Sequence, residues 1–139
     1  MTRWQAKVLL EGTAQAKVLR LDAPISFWGG IDPATSQVIL AGHPQFGERV
    51  SGKILVIRQL IGSSSSSAVM LELAYGGLAP AALILGARDA ILPIGVVVAG
   101  QMGWKTLPVL VLPDPPFQTE DVLSVDDLGM IKLLPSPDD

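Results

Sequence analysis

The chain contains no cysteine and a single histidine, His43. The absence of cysteine excludes disulfides and thiolate metal ligands from this chain. One histidine cannot by itself build a conventional multi-histidine metal site. The sequence therefore predicts no metal site of its own, and any metal that the protein uses is expected to be held mostly by another chain.

The chain also lacks a cluster of positive charge and a long apolar run. Its 10 Lys and Arg residues are scattered and its formal net charge is −3, so it lacks the electrostatic footprint of a nucleic-acid-binding protein. The longest uncharged apolar run, Ala90 to Gly100, is far shorter than the roughly 20 residues of a membrane span. The N-terminus, Met1 to Lys7, contains no apolar signal region. We expect a cytoplasmic protein that binds neither nucleic acid nor membrane.

Apolar residues, by contrast, are abundant. They make up 49% of the 139 residues, only 17% are charged, and the mean hydropathy is +0.45. A chain of this length buries roughly two thirds of its unfolded surface, so we expect one domain over residues 1–139. Its apolar excess indicates a large core or a large buried partner surface.

The first and last thirds of the sequence favour short strands and loops. A glycine-containing connection, Glu11–Ala14, separates two β-rich runs of a predicted hairpin, Lys7–Leu10 and Ala16–Leu21. A structured loop and then a short strand are predicted over 25–33 and 37–44. In the tail, Met130 to Leu134 favours an edge strand, and the last few residues are expected to be mobile.

The middle of the chain alternates strand and helix patterns. The runs Lys53–Arg58, Ala81–Leu85 and Leu107–Leu112 are short and apolar, as in strands buried on both faces. Between them, Ala68–Tyr75 predicts a helix that Gly76 ends, and Ile91–Met102 predicts a helix or an irregular segment weakened by Pro93 and Gly95. This order predicts βαβ connections and an α/β fold.

Five consecutive serines, Ser63 to Ser67, lie between a predicted buried strand and a predicted helix. A flexible linker is excluded by that position, because linkers separate independently folded pieces. Two readings remain open. Ser64 or Ser65 could cap the helix, or the glycine and serines before the helix could present N–H donors to an anion or to a developing alkoxide.

Other polar and aromatic residues are better explained by structure than by catalysis. Serine needs an activating partner, and this chain has no second histidine and no evident triad, so an autonomous hydrolase is not expected. We expect His43 to be a loop residue and Trp28 to pack in the core beside the tight turn of Gly29, rather than to line a ligand pocket. Asp32 and Asp89 are expected in turns or helix caps.

Several segments, in this order, resemble the small subunit or swivel domain of aconitase X. The similarity covers about Ala23 to Leu112, and the segments are ISFWGGIDPATSQVI, GERVSGKILVI, GSSSSSAVMLEL, GLAPAALIL, DAILPIGVVVAGQM and LPVLVL.

The resemblance implies a swivelling β/β/α domain, mostly β with short helices packed on a sheet or barrel. It implies a heterodimer or higher assembly with a large subunit that holds an iron centre, often an iron–sulfur cluster. It further implies a hydro-lyase reaction, the dehydration of cis-3-hydroxy-L-proline in bacteria or of mevalonate 5-phosphate in archaea. The position of the family's proton-accepting serine is Ser63 here, and Gly62, Ser64 and Ser65 would support the substrate or the loop.

One departure from the family pattern concerns the residues before the serines. The family usually has Gly-Arg-Gly, whereas this chain has Leu60-Ile61-Gly62, so an arginine that could neutralise an anion is missing. Arg58 is near in sequence, but its place in a strand means that it need not point the same way. The leading hypothesis is the small subunit of a hydroxyproline dehydratase. The alternatives are a mevalonate 5-phosphate dehydratase subunit and a binding domain that has lost the chemistry.

Overall fold

The structure, a computed structural model, describes residues 2–135. Within this range the chain forms eight strands and three helical segments, of which the first is a single irregular turn with non-helical backbone at Trp28 and Gly29. The elements are β1 (Arg3–Gln5), β2 (Lys7–Leu10), β3 (Ala14–Leu21), α1 (Phe27–Gly30), β4 (Ile54–Ile57), α2 (Ser66–Tyr75), β5 (Ala82–Leu85), α3 (Leu92–Gln101), β6 (Val109–Val111), β7 (Val122–Val125) and β8 (Met130–Leu134).

The strands form one mixed sheet in the order β1-β8-β7-β3-β4-β5-β6-β2. The end strands β1 and β2 are separated in sequence by Ala6 alone, whose N–H donates to the carbonyl of Gly129 at 3.0 Å. The two ends of the sheet are therefore one continuous stretch of chain, and the sheet closes on itself. Closure leaves few unpaired strand edges.

Strand β3 joins two halves of different character. Its first half, from Ala14 to Lys17, pairs antiparallel with β7, and its second half, from Val18 to Leu21, pairs parallel with β4. The parallel half continues through β5 to β6, with α2 and α3 as the crossovers. The three predicted buried strands, both predicted helices and the βαβ connections are confirmed. No helix within residues 2–135 has the length and apolar character to cross a membrane.

Every residue of β4 and β5 is buried, because both faces of these strands are covered. Alternate side chains point to two separate hydrophobic cores. Leu55, Ile57 and Leu83 pack toward the helices, where Met70, Leu73 and Val96 also lie. Ile54, Val56 and Ile84 pack toward the interior of the closed sheet, against Phe117 and residues of the antiparallel half.

Two strand predictions are wrong in their pairing. The runs Lys7–Leu10 and Ala14–Leu21 are strands, but they do not form a hairpin, because β2 pairs with β6 while β3 pairs with β7 and β4. Strand β8 is not an edge strand, since it lies between β1 and β7. In both cases the reason is closure of the sheet, which pairs β2 with β6 and β8 with β1, strands that are distant in sequence.

The predicted strand over 37–44 is also wrong. Within it Gln37 and Val38 make only isolated bridges, to Arg49 and Ile31, because turns at 41–42 and 44–47 bend the chain. The sequence patterns predict no strand at the position of β7. The expected mobility of the last few residues falls largely on 136–139, outside the described residues.

The edge-to-face pair of Trp4 and Phe117 packs in the inner core, and a substitution there tests how much that packing stabilises the fold. Their ring centroids are 4.8 Å apart with an interplanar angle of 85°, and Phe117 is only 1% exposed. We expect Phe117→Ala to lower the free energy of unfolding by about 3–5 kcal/mol, because it removes a buried ring and leaves a cavity. Urea unfolding followed by circular dichroism measures this change.

Phe46 provides the matched control because its ring is 61% exposed. Phe46→Ala should change the free energy of unfolding by no more than about 0.5 kcal/mol. Equal losses in the two variants would contradict the assignment of Phe117 to the core.

Candidate functional site

The serine loop, Ser63 to Ser67, begins beyond the carboxyl end of β4 and runs into the first turn of α2. In a parallel sheet with helical crossovers, this edge is where ligands commonly bind. The loop after β5, which leads into α3, lies at the same edge. The βαβ order therefore places the serines where ligand sites usually form.

Hydrogen bonds within the loop hold it in a defined shape. The hydroxyl of Ser63 accepts from the N–H of Ser65 at 3.3 Å, and the Ser63 carbonyl accepts from the N–H of Ser66 at 3.0 Å. Ser67 Oγ donates to the carbonyl of Ser64 at 3.1 Å. Ser65, immediately before the helix, makes no side-chain capping bond. The side chain that meets a free N–H is thus that of Ser63, and the capping considered for Ser65 is not found.

The five serines differ in exposure and role. Ser66 is buried, lies 3.3 Å from the hydroxyl of Ser26 and accepts the backbone N–H of Trp28 at 3.3 Å. It therefore anchors the start of α2 to the Phe27–Gly30 turn. Ser63 and Ser65 are half-buried and Ser64 is exposed, so these three remain accessible to a ligand.

The backbone around the serines offers donors to an anion. Among the described residues, the N–H groups of Ser64 and Ser67 have no acceptor within the chain. Unpaired N–H groups and the positive end of the helix dipole both favour negative charge. The arrangement can bind a carboxylate or phosphate, or stabilise an alkoxide on Ser63.

The remaining candidates have structural roles, with one exception. His43 is buried, with Nδ1 accepting from the N–H of Gln45 at 3.0 Å and Nε2 lying 3.1 Å from the carbonyl of Ala23. Asp32 accepts from Ala34 N–H in a turn, and Asp89 accepts from Leu92 N–H at the start of α3. These three predictions are confirmed. The prediction for Trp28 is wrong, because the side chain is 61% exposed and the buried aromatic is its neighbour Phe27.

A family profile described as the aconitase X swivel domain matches residues 3–133. The chain belongs to this family. The match extends the resemblance noted in the sequence to almost the whole of the described structure.

Curated relatives of this swivel domain carry two names. The chain is 40% identical over 106 residues to the cis-3-hydroxy-L-proline dehydratase of Pseudomonas aeruginosa, covering 76% of this chain and 18% of that protein. It is 37% identical over 94 residues to the phosphomevalonate dehydratase small subunit of Methanothermobacter thermautotrophicus, covering 68% and 72%. The chain thus spans less than a fifth of the first relative and most of the second.

A solved structure agrees with the fold of this swivel domain. The crystal structure of Thermococcus kodakaraensis aconitase X in its holo-form superposes with a TM-score of 0.87 at 28% identity, covering 97% of this chain and 100% of that chain. The expected swivel-type fold, mostly β with short helices on a closed sheet, is confirmed.

The residues of this swivel domain do not fit an iron centre. Within 2–135, no three His, Asp or Glu side chains lie together as metal ligands, and the sequence has no cysteine. Hydroxyl groups and backbone N–H donors are not the thiolate and imidazole ligands that iron–sulfur clusters use.

Arg58 does not replace the arginine missing before Gly62. Its guanidinium pairs with Asp114, with 3.4 Å between Nη2 and Oδ1. Arg58 lies in the bend that directly follows β4. Arg58 and Asp114 lie together in a shallow depression that Arg20 also lines.

Gly95 is a positioning residue that the sequence did not reveal as such. A Cβ on Gly95 would lie 2.5 Å from the carbonyl oxygen of Ser67 and 2.9 Å from Cβ of Met70. Only glycine allows α3 to approach the first turn of α2 this closely. Its sequence signal, a glycine inside an apolar helix, favoured a weakened helix; the structure shows a close contact between helices.

We expect Gly95→Ala to destabilise the swivel domain by about 1–3 kcal/mol, because the added methyl group overpacks the contact with Ser67. This loss outweighs the gain of roughly 1 kcal/mol that alanine brings to a helix interior. Amide chemical shifts of Ser63 to Ser67 should move at the same time.

Gly100→Ala is the control in the same helix, where the added Cβ would meet only the Thr106 methyl group at 3.0 Å. It should be neutral or stabilising and should leave the serine amides unchanged. Unshifted serine amides in Gly95→Ala would show that this glycine does not position the loop.

Proposed function

We propose that this chain is the swivel component of an aconitase-X-type dehydratase that removes water from a small hydroxy acid, with Ser63 as the proton acceptor. The observation that carries the proposal is the half-buried hydroxyl of Ser63, held by the Ser65 N–H beside the N-terminus of α2. The dehydratase names of the relatives support the reaction class.

The chemistry assigned to this chain is half of an elimination. A base removes the proton from the carbon next to the substrate carboxylate, and the hydroxyl group leaves from the adjacent carbon as hydroxide, so that the proton and the hydroxide together make up the water that is removed. Ser63 would take the proton as an alkoxide, which the Ser65 N–H and the helix dipole would stabilise. Gly62, Ser64 and Ser65 would hold the substrate and the loop around it.

The other half of the site would belong to a large subunit. Because this chain's residues do not fit an iron centre, the iron or iron–sulfur cluster would be held by that subunit. The relatives named as small subunits support such a partner. Neither chain would then be active alone.

The preferred substrate is cis-3-hydroxy-L-proline. Two relatives with this name, from Pseudomonas aeruginosa and Hypocrea jecorina, are 40% and 41% identical over 106 and 111 residues. The phosphomevalonate dehydratase small subunits align over shorter stretches, for example 94 residues at 37% identity.

Ser63→Ala tests the assigned base. With the large subunit present, we expect kcat for cis-3-hydroxy-L-proline dehydration to fall by about 10²–10⁴, the usual contribution of a positioned general base. The assay follows formation of the pyrroline carboxylate, and gel filtration shows whether the complex remains intact.

Ser51→Ala is the matched control, because Ser51 lies in the turn at the amino end of β4, away from the serine loop. It should retain wild-type kcat. A Ser63→Ala complex with wild-type turnover would remove Ser63 from the role of base.

Mevalonate 5-phosphate is the second candidate substrate, favoured by one observation. The alignment with this chain covers 72% of the Methanothermobacter small subunit but only 18% of the Pseudomonas dehydratase, so it takes in most of a protein named as a phosphomevalonate dehydratase small subunit. Parallel assays of the complex with both substrates separate the two. Turnover of neither by an intact complex would favour a binding domain without chemistry, as the loss of the family arginine at Ile61 suggests.

Arg88 is the residue that we propose in place of that arginine. It lies in the loop between β5 and α3, at the same edge as the serines, and has no ion-pair partner among residues 2–135. The side chains of Arg20 and Arg58 are engaged by Asp22 and Asp114.

We expect Arg88→Gln to raise KM for an anionic substrate by about 10-fold to 100-fold with a smaller effect on kcat, because a charge-assisted contact of about 1.5–3 kcal/mol is lost. Arg88→Lys should recover part of the affinity. Steady-state kinetics of the three proteins gives the values, and an unchanged KM in Arg88→Gln would exclude the residue from substrate binding.

A further inference from the structure

Trp28 carries an exposed indole ring beside the serine loop. Its side chain is 61% exposed, although the preceding residue, Phe27, is buried. The backbone N–H of Trp28 donates to Oγ of Ser66 at 3.3 Å, and the N–H of Ser66 donates to the carbonyl of Ser63 at 3.0 Å. Two hydrogen bonds therefore connect Trp28 to the residue proposed as the base. In the part of the chain that the structure describes, the indole takes part in neither aromatic ring pair, so its face is available to a ligand.

Ile61 is a second exposed apolar residue beside the loop. It is 49% exposed and lies two residues before Ser63. Its N–H donates to the carbonyl of Ile25 at 2.8 Å. A Cβ on Gly30 would lie 2.6 Å from Cγ1 of the same Ile25, so the turn that carries Trp28 also packs closely on this residue. We define the apolar wall as Trp28 and Ile61, whose backbones are both held around Ile25.

The segments that carry the apolar wall offer almost no carboxylate to a cation. Asp32 is the only Asp or Glu between Ala23 and Gly47, and there is none between Gln59 and Leu71. Oδ1 of Asp32 accepts from the N–H of Ala34 at 2.9 Å within its own turn. The π face of a tryptophan attracts a cation in place of a carboxylate. The indole of Trp28 is therefore the side chain near the serines that can hold an ammonium group.

The preferred substrate presents an ammonium group at the reacting carbon. In cis-3-hydroxy-L-proline, the carbon that loses its proton carries both the carboxylate and the ring ammonium. The N–H groups of Ser64 and Ser67, which have no acceptor among the described residues, can take the carboxylate. The ammonium and the ring methylene groups then need a different surface, and the apolar wall has the matching chemistry.

We propose that the apolar wall binds the ring of a cyclic amino-acid substrate and so determines specificity. The indole of Trp28 would lie against the ring ammonium, and Ile61 would contact the ring methylene groups. This inference rests on the proposed function. Mevalonate 5-phosphate has no ammonium group and carries a phosphate with a charge of about −1.5 to −2, so the same wall disfavours it.

The binding test uses the complex of this chain with its large subunit and two ring compounds that cannot be dehydrated. L-proline has the ring, the carboxylate and the ammonium but no hydroxyl group, and tetrahydrofuran-2-carboxylate has an ether oxygen in place of the ammonium. We expect Trp28→Leu to raise Kd for L-proline about 10-fold, because the cation–π contact is lost while an apolar side chain remains. Kd for tetrahydrofuran-2-carboxylate should rise less than about threefold. Titration calorimetry gives both values.

The kinetic test separates binding from chemistry. Trp28→Leu should raise KM for cis-3-hydroxy-L-proline about 10-fold and change kcat less than about threefold, whereas Trp28→Phe, which keeps an aromatic face, should recover most of the affinity. Ile61→Ser should raise KM about threefold to 10-fold, because apolar contact with the ring is lost. Thermal unfolding should show that all variants are folded.

Tyr75 provides the matched control because its ring is exposed but remote from the serines. It is the last residue of α2, is 71% exposed and packs its ring 4.9 Å from that of Trp104. A helix of 10 residues places it roughly 15 Å from the serine loop. Tyr75→Leu should leave Kd for both compounds and KM for the substrate unchanged.

The outcomes separate the apolar wall from the proposed reaction. Ser63→Ala should bind L-proline normally and stay inactive. A complex that binds L-proline in a Trp28-dependent way but does not dehydrate hydroxyproline would overturn the reaction and leave the wall in place. An active complex in which Trp28→Leu has the wild-type KM would overturn the wall and leave the reaction in place. Equal losses for the two ring compounds in Trp28→Leu, a loss in Tyr75→Leu, or a wild-type complex that does not bind L-proline would also overturn the wall.

Discussion

The burial of β4 and β5 on both faces is the constraint on which the rest of the structure depends. Every residue of the two strands is buried, so each face must be covered by other parts of the chain. Helices α2 and α3 cover one face and the closed antiparallel half covers the other. Because the strands are parallel, each crossover helix must begin at their carboxyl edge. The position of the serine loop follows from this arrangement.

Closure of the sheet covers the second face of β4 and β5. Both crossover helices lie on the same face of β4 and β5, so the other face needs a different cover, and the chain supplies it by dividing β3 between β7 and β4. The continuous stretch β1–β2 then joins the outer strands β8 and β6. The antiparallel half thus completes the inner core around Phe117 and leaves the carboxyl edge of β4 and β5 free for loops.

The parts of the fold that could be predicted are those encoded by local pattern. Apolar runs too short for helices gave β4, β5 and β6, and Gly76 marked the end of α2. Strand pairing could not be predicted. The strands β2 and β3 are close in sequence, which favours a hairpin, but their partners β6 and β7 lie about 100 residues further along the chain. The sequence predicts Trp28 in the core because large aromatic residues usually pack there, and nothing local distinguishes it from the buried Phe27.

The position of the candidate site in the chain could be predicted, but the hydrogen bonds of its serines could not. A glycine and serines between a strand and a helix indicate a helix N-terminus, yet which hydroxyl meets which N–H depends on backbone geometry that the residue types do not fix. Ser66 turned out to be an anchor to the Phe27–Gly30 turn, and Ser63 the hydroxyl that meets a free N–H. Gly95 could not be recognised from sequence, because its importance comes from the carbonyl of Ser67 on another helix.

The scarcity of charge around the serines is consistent with a site that two chains complete. Burying an unpaired charge in an interface is costly, whereas hydroxyl groups that already share hydrogen bonds lose less when water leaves. In the proposed assembly, contact with the large subunit would exclude water from the loop, and the N–H donors near Ser63 would then act in a medium of lower dielectric constant. The same scarcity of charge would therefore strengthen the stabilisation of a serine alkoxide by the N–H donors.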